Sequence, residues 1–299
     1  MIPGADQNEL SSVEMWKRRV TSLAMGVALL LILAKLAAWV LSGSVAILAS
    51  LADSGLDLLS SFSAFAAVRI AATPPDDNHR FGHQKAEAVS ALLQTSVIAA
   101  SATLVTLESI GRLFDPQAID RVDVAIGALS LSVVLTICLV AVQTLAVRHT
   151  DSLVLKADRA HYVGDVLANA GALLAVVLAT QFGFLRADAI AGLFASGFLF
   201  WSVKVVASQA LPELMDEELP DSERVQIAHI IDQDPDVVSY HGLRTRRAGP
   251  SRFIQVDLEL PGSMSLKDAH MVSNRVTAAM QQVFPGADIM VHKDAAEEP

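Results

Sequence analysis

The sequence predicts an integral membrane α-helical bundle of six transmembrane helices, followed by a small C-terminal cytoplasmic α/β domain. Three observations carry that expectation. Hydrophobic residues fill 53% of the 299 positions and charged residues only 18%, with a mean hydropathy of +0.45, a composition foreign to soluble enzymes. Crossing a bilayer takes about 20 mostly apolar residues, and six segments qualify: 20–41, 45–70, 87–110, 122–147, 159–181 and 187–208. The formal charge of −10 is concentrated beyond them, because residues 212–299 hold 16 Asp and Glu against 8 Lys and Arg. Such an acidic tail disfavours nucleic acid as a partner and favours cations.

The order of parts follows. Residues 1–19 form a polar arm without a small-residue cleavage site, so no cleaved signal peptide is expected. Residues 20–211 form the membrane domain and 212–299 the soluble domain. Loop bases set the orientation. Lys17, Arg18, Arg19, Arg69, Arg80, Lys85, Arg148, Lys156 and Arg159 fall on one side, against Arg112, Arg121 and Arg186 on the other. Both termini are therefore expected in the cytoplasm. Lys35 lies about two turns from the outer end of the first segment, within reach of the interface by snorkelling. Ala191, Gly192, Ala195 and Gly197, and likewise Ser50, Ser54 and Gly55, read as close-packing surfaces. Cys138 is the sole cysteine, which excludes an intrachain disulfide and thiolate metal sites.

The tail reads as αββαβ. A helix over 222–232 follows the cap signal Pro220-Asp221, and a strand near 237–246 leads to a Gly249-Pro250 turn. In the strand 252–260, Ile254, Val256, Leu258 and Leu260 alternate with Gln255, Asp257 and Glu259, which puts Asp257 on the polar face. Ala269, Val272, Val276, Ala279 and Val283 recur at helical spacing over 266–283, and Phe284-Pro285-Gly286 ends that helix. A last strand, 287–293, turns Ile289 and Val291 one way and Asp288, His292 and Asp294 the other. The expected product is a compact sheet with helices on one face.

The second and fifth segments are the least hydrophobic, because they carry Asp53-x-x-x-Asp57 and His161-x-x-x-Asp165. An ionisable group at membrane depth costs at least a few kcal/mol and usually marks an ion site or pathway. Spacing of i, i+4 stacks each pair on one helical face. Two such helices turned together offer three carboxylates and one imidazole, a set suited to a small tetrahedral divalent metal. A purely structural role in interhelical hydrogen bonding explains four ionisable groups at matched spacing less well. Metal binding needs ionised carboxylates and neutral imidazole, so protons compete for the same groups. His161 is the natural first proton carrier, since free histidine titrates near physiological pH.

Further patterns join these: Asp76-Asp77-Asn78-His79-Arg80-Phe81-Gly82-His83, His241-Gly242-Leu243-Arg244-Thr245-Arg246 and Phe284-Pro285-Gly286. With them, nearly the whole chain resembles the bacterial cation diffusion facilitator family, in its zinc/ferrous-iron efflux subfamily. The resemblance implies a homodimer in the bacterial inner membrane, a secondary active transporter and not an enzyme. Such a protein exchanges cytoplasmic divalent metal for external protons by alternating access; the three-carboxylate, one-imidazole set, less soft than one with two histidines, favours Zn²⁺ with tolerance for Cd²⁺, Co²⁺ or Fe²⁺. It also implies a ferredoxin-like, metallochaperone-like tail in which Zn²⁺ or another divalent metal acts as a regulatory ligand.

Position by position, the resemblance assigns Asp53, Asp57, His161 and Asp165 to the transport site, and Asp76, His79 and His83 to a loop site. It assigns His241, Asp257, His292 and Asp294 to a binuclear tail site, with His270 an extra ligand supplied across the dimer. Lys85 and Asp216 match an ion pair joining the two domains. The chain departs at Asp257, where relatives can carry His; a carboxylate there still bridges two metals, as a harder ligand. His149 and His229 lack matching partners and read as loop and helix-surface residues. Two rival classes remain on sequence grounds. A membrane-anchored metal sensor needs no acids at membrane depth. A proton-coupled organic-cation transporter wants an aromatic pocket, and aromatics are only 5% of this chain.

Overall fold

The computed structural model describes residues 7–42, 45–115 and 122–296; the side chains at 7–11, 38, 39, 41, 42, 45–50, 52, 53, 122–129, 131 and 179 lie outside the description. The apolar segments fold as α1 (Gln7–Ser42), α2 (Val45–Ala71), α3 (Ala86–Phe114), α4 (Val122–Thr150), α5 (Leu153–Phe182) and α6 (Ala187–Leu214). Several run past the expected spans, so that Lys17, Arg18 and Arg19 are helical and His149 sits on the last turn of α4, not in a loop. Among the described residues, five helical stretches are long and apolar enough to cross a membrane: Ser12–Ala37, Ala86–Phe114, Ser132–Thr150, Leu153–Phe182 and Ala187–Leu214. The remaining expected segment, 45–70, forms helix α2, whose side chains are described only in part. Two compact units result, one being Ser12–Leu211 and the other holding the chain from Pro212 onward.

The helical unit reverses the burial pattern of a soluble protein. Its interior is lined by small residues such as Ala24, Ala28, Ala64, Ala88, Ala91, Ala102 and Ala195, while Leu104, Leu107, Phe114 and Phe194 point outward. Small side chains let helix backbones approach closely, and outward apolar ones are the face that lipid solvates. α5 packs against α2, α3 and α4, and α2 packs against α3 as well. The close-packing surface expected on α6 is present at its first half. A Cβ added at Gly171 of α5 would lie 2.8 Å from that of Ala191, and one at Gly192 would overlap Ser109 of α3. Among the described residues nothing lies within 4 Å of a Cβ added at Gly197 or Gly55; the side chain of Ser50 lies outside the described residues.

Lys17, Glu87 and Lys35 inside this unit are tied down by hydrogen bonds. Lys17 Nζ donates to Glu87 Oε1 at 2.7 Å, and Ser152 Oγ donates to Glu87 Oε2, all three residues being buried. The pair joins α1, α3 and the junction between α4 and α5. Lys35 does not follow the snorkelling expectation: its Nζ donates to Ser54 Oγ on α2 at 2.5 Å. A buried hydroxyl on a neighbouring helix offers the ammonium an acceptor without stretching the side chain to the interface.

The C-terminal unit is built from α7 (Asp221–Asp232), β1 (Ser239–Ala248), β2 (Ser251–Leu260), α8 (Leu266–Val283) and β3 (Asp288–Ala295), in the αββαβ order expected. β1 and β2 pair antiparallel across the Gly249-Pro250 turn, and β3 returns parallel to β2 after the α8 crossover. Ile254, Val256 and Leu258 of β2 meet Ile227 and Ile231 of α7 and Val272, Val276 and Met280 of α8 in one core. Ser265 caps α8, its hydroxyl accepting from the Asp268 backbone N–H at 3.2 Å.

Arg275 of α8 grips the α7–β1 connection, its guanidinium bonding Asp234 at 2.8 and 3.0 Å and Asp236 at 2.6 Å. That bond holds the Asp234 carboxyl below the usual carboxylate range, and the Arg252 hydrogen bond does the same for Glu223. Groups with depressed folded values stabilise the fold above their unfolded value, and the contribution is lost as pH falls through the folded one. The C-terminal unit should therefore loosen below about pH 4, and Arg275→Ala should remove part of that acid sensitivity. Limited proteolysis of the intact protein at falling pH reads both effects.

Candidate metal centres

The first centre forms where α2 faces α5. The i, i+4 spacing places His161 and Asp165 on one face of α5, and helix packing brings Asp57 of α2 to them. His161 Nε2 lies 2.8 Å from Asp57 Oδ1 and 3.9 Å from Asp165 Oδ2. One ligand atom from each residue falls within 4.8 Å of the others, and His161 is only 7% exposed. Asp53 stands one turn before Asp57 on α2, and its side chain lies outside the described residues. Nε2 is the nitrogen turned to both carboxylates, and so the one placed to meet a cation held between the three groups.

Several residues around this centre were not singled out by sequence reasoning. The Tyr162 and Ser61 hydroxyls, both buried, meet at 2.8 Å and clamp α5 to α2 one turn past Asp57. Asp158, wholly buried three residues before His161, accepts from Gln143 Nε2 of α4 at 2.7 Å. Its i−3 spacing from His161 was readable; its partner on α4 was not.

The second centre is a loop between α2 and α3. Asp76 Oδ1 accepts the backbone N–H groups of Asn78 and His79 at 2.9 and 2.6 Å. The His79 N–H above all holds its carboxyl below the usual range. His79 Nδ1 lies 3.3 Å from Asp76 Oδ1, and His83 Nε2 lies 3.3 Å from Oδ2. A turn, not a helix, brings the two rings to 4.6 Å: Gly82 N–H bonds the His79 carbonyl, with Gly82 at φ +83°. His83 Nδ1 donates to the Thr73 carbonyl at 3.3 Å, which orients the ring with Nε2 towards Asp76.

The third centre lies on the polar face of the sheet. His241 Nδ1 is 3.6 Å from Asp257 Oδ2, and Nε2 is 3.3 Å from Asp294 Oδ2. His292 reaches the group through Asp294, with Nε2 at 3.0 Å from Oδ1. Glu259, 3.6 Å from His241 Nε2, joins them unforeseen, although its parity with Asp257 was visible in the strand. His270 of α8 has its Nε2 3.2 Å from Asn274 Nδ2 and is not one of the three residues, His241, Asp257 and Asp294, whose ligand atoms converge. Gly242, at φ +62° in the bulge after His241, is what admits Asp257: a Cβ there would overlap its Oδ2. Gly242→Ala should thus displace Asp257 and weaken divalent-metal binding by the tail by about tenfold, read by calorimetry with Zn²⁺. Lys85 precedes α3 in the helical unit. Asp216, at φ +56°, bonds Arg246 at 3.1 Å within the C-terminal unit.

Comparison with known proteins adds to this geometry. Residues 22–215 match the cation efflux transmembrane domain, and residues 219–296 match the cytoplasmic domain of cation efflux proteins. The chain belongs to the cation diffusion facilitator family. Two of its relatives, the cation-efflux pumps FieF of Salmonella arizonae and Salmonella typhimurium, are each 40% identical over 275 residues, 92% of this chain and 91% of theirs. The metal-bound C-terminal domain of the CzcD transporter from Thermotoga maritima is 29% identical, covering 25% of this chain and 87% of that one with a TM-score of 0.24. The cytosolic domain of another cation diffusion facilitator protein is 28% identical over 26% of this chain and 96% of that one, TM-score 0.24. Membership makes this a multi-pass membrane protein with a role in cation efflux, not catalysis.

Proposed function

We propose that this chain exports divalent transition metal, Zn²⁺ foremost with Cd²⁺, Co²⁺ or Fe²⁺ tolerated, in exchange for protons. The observation that carries the proposal is the Asp57–His161–Asp165 cluster, half or more buried between two apolar helices. In this reading Asp53 completes the ligand set, the chain crosses a bacterial inner membrane six times with both termini cytoplasmic, and two copies form a homodimer. Loaded with M²⁺, three carboxylates and a neutral imidazole leave a single negative charge. Emptying the site leaves three, which a dry core disfavours unless protons replace the metal. Rocking of α2 and α5 between inward-open and outward-open states then lets each ligand discharge the other.

Residues 1–19, 20–211 and 212–299 serve in this proposal as arm, pathway and regulatory domain. The loop site at Asp76, His79 and His83 binds cations beside the pathway. Metal at His241, Asp257, His292 and Asp294, with His270 of the second copy, draws the two tails together. The Lys85–Asp216 pair passes that change to the membrane domain. In proteoliposomes, flux should appear for Zn²⁺ within a metal panel, rise with an inward proton gradient and fail for organic cations. Flux indifferent to the proton gradient would overturn the antiport, and no metal flux at all would leave only a sensor.

A further inference from the structure

The charge of Lys35 bears on the same pathway. Lys35 of α1 is half-buried in the apolar bundle, and its Nζ donates to Ser54 Oγ at 2.5 Å. Ser54 is itself buried at 1% exposure. It follows Asp53 directly and precedes Asp57 by three positions, at the edge of the α2 face that carries both acids. A cation is thus moored one helical turn from the groups assigned to M²⁺. Holding an ammonium at this depth is costly, and the arrangement calls for a use.

We infer that Lys35 is a positioning residue that acts as a resident counter-cation, offsetting the emptied acid cluster and weakening its hold on the divalent ion. The inference rests on the proposed transport site. Its logic is Coulombic. When M²⁺ leaves, the fixed ammonium remains to offset part of the exposed negative charge, so the empty state costs less. When M²⁺ is bound, the same ammonium repels it, and repels it twice as strongly as it would a single proton. Both effects favour release. A carrier must bind its ion firmly enough to load and weakly enough to let go, and a tethered cation sets that balance without occupying a coordination position.

The test is Zn²⁺ flux in proteoliposomes of the full chain carrying Lys35→Gln or Lys35→Arg, with Asp57→Ala alongside. Lys35→Gln keeps a donor for Ser54 and removes the charge; KM should fall about tenfold and maximal flux should fall with it, as release becomes slow. Lys35→Arg keeps the charge and should stay near wild type in both. A merely structural lysine gives another pattern, with Gln rescuing or KM rising, and either result overturns the inference. Should Lys35→Gln fail to fold, Lys35→Met removes the charge at similar side-chain length and must shift KM downward too; an unchanged KM counts against the idea. Asp57→Ala reports separately on the transport site, because robust flux from it would refute that assignment whatever Lys35 does.

Discussion

Asp57→Ala is expected to lower Zn²⁺ flux at least about a hundredfold while leaving the helical unit folded. Asp57 supplies the carboxylate closest to His161, at 2.8 Å, and is the described link from α2 to the α5 pair. Without it the carboxylate left beside the imidazole among the described residues is Asp165 at 3.9 Å, and two groups on one helix make a poor cage for an ion. The clamp between Tyr162 and Ser61 is untouched by the change, so α2 and α5 should remain packed. Asp165→Ala should behave alike, although this carboxylate is more open, at 32% side-chain exposure. Reconstituted flux, with size-exclusion profiles as the folding control, decides the matter; ample flux from both variants would remove this centre from the pathway.

Glu87→Ala should produce the largest loss of stability. Its carboxylate accepts from both Lys17 and Ser152 in a buried setting, and deleting it strands the Lys17 ammonium. Breaking a buried pair from one side costs about 3–5 kcal/mol, whereas removing both charges together is often nearly neutral. Lys17→Met combined with Glu87→Gln should accordingly recover most of what Glu87→Ala loses. Thermal unfolding in detergent distinguishes these cases. If the double variant unfolds as early as the single one, the stranded charge is not the cause.

Local pattern and tertiary arrangement were not equally legible. The tail helix over 266–283 and the alternation of Ile254, Val256 and Leu258 were readable because each depends on neighbours a few residues away. The two acid and histidine pairs were readable for the same reason. What packing alone decides was not. Lys35 looked like a snorkelling residue because its span position permits that; only the approach of Ser54 from α2 turned it inward. Gln143 and Asp158 meet across α4 and α5, a pairing that no periodicity encodes. In the tail, the irregularity between His241 and Arg244 resets the register. His241 therefore faces Asp257, Glu259 and Asp294, and His292 stands at the edge.

The measurement that tests the central claim most directly is the position of the ion itself. Zinc-edge anomalous scattering from the full-length protein loaded with Zn²⁺ should give a peak between α2 and α5. That peak should lie about 2.0–2.2 Å from His161 Nε2 and from carboxylate oxygens of Asp57 and Asp165. Peaks confined to the loop at Asp76 and the sheet at His241, with none between the helices under any loading condition, would contradict the assignment of the transport site.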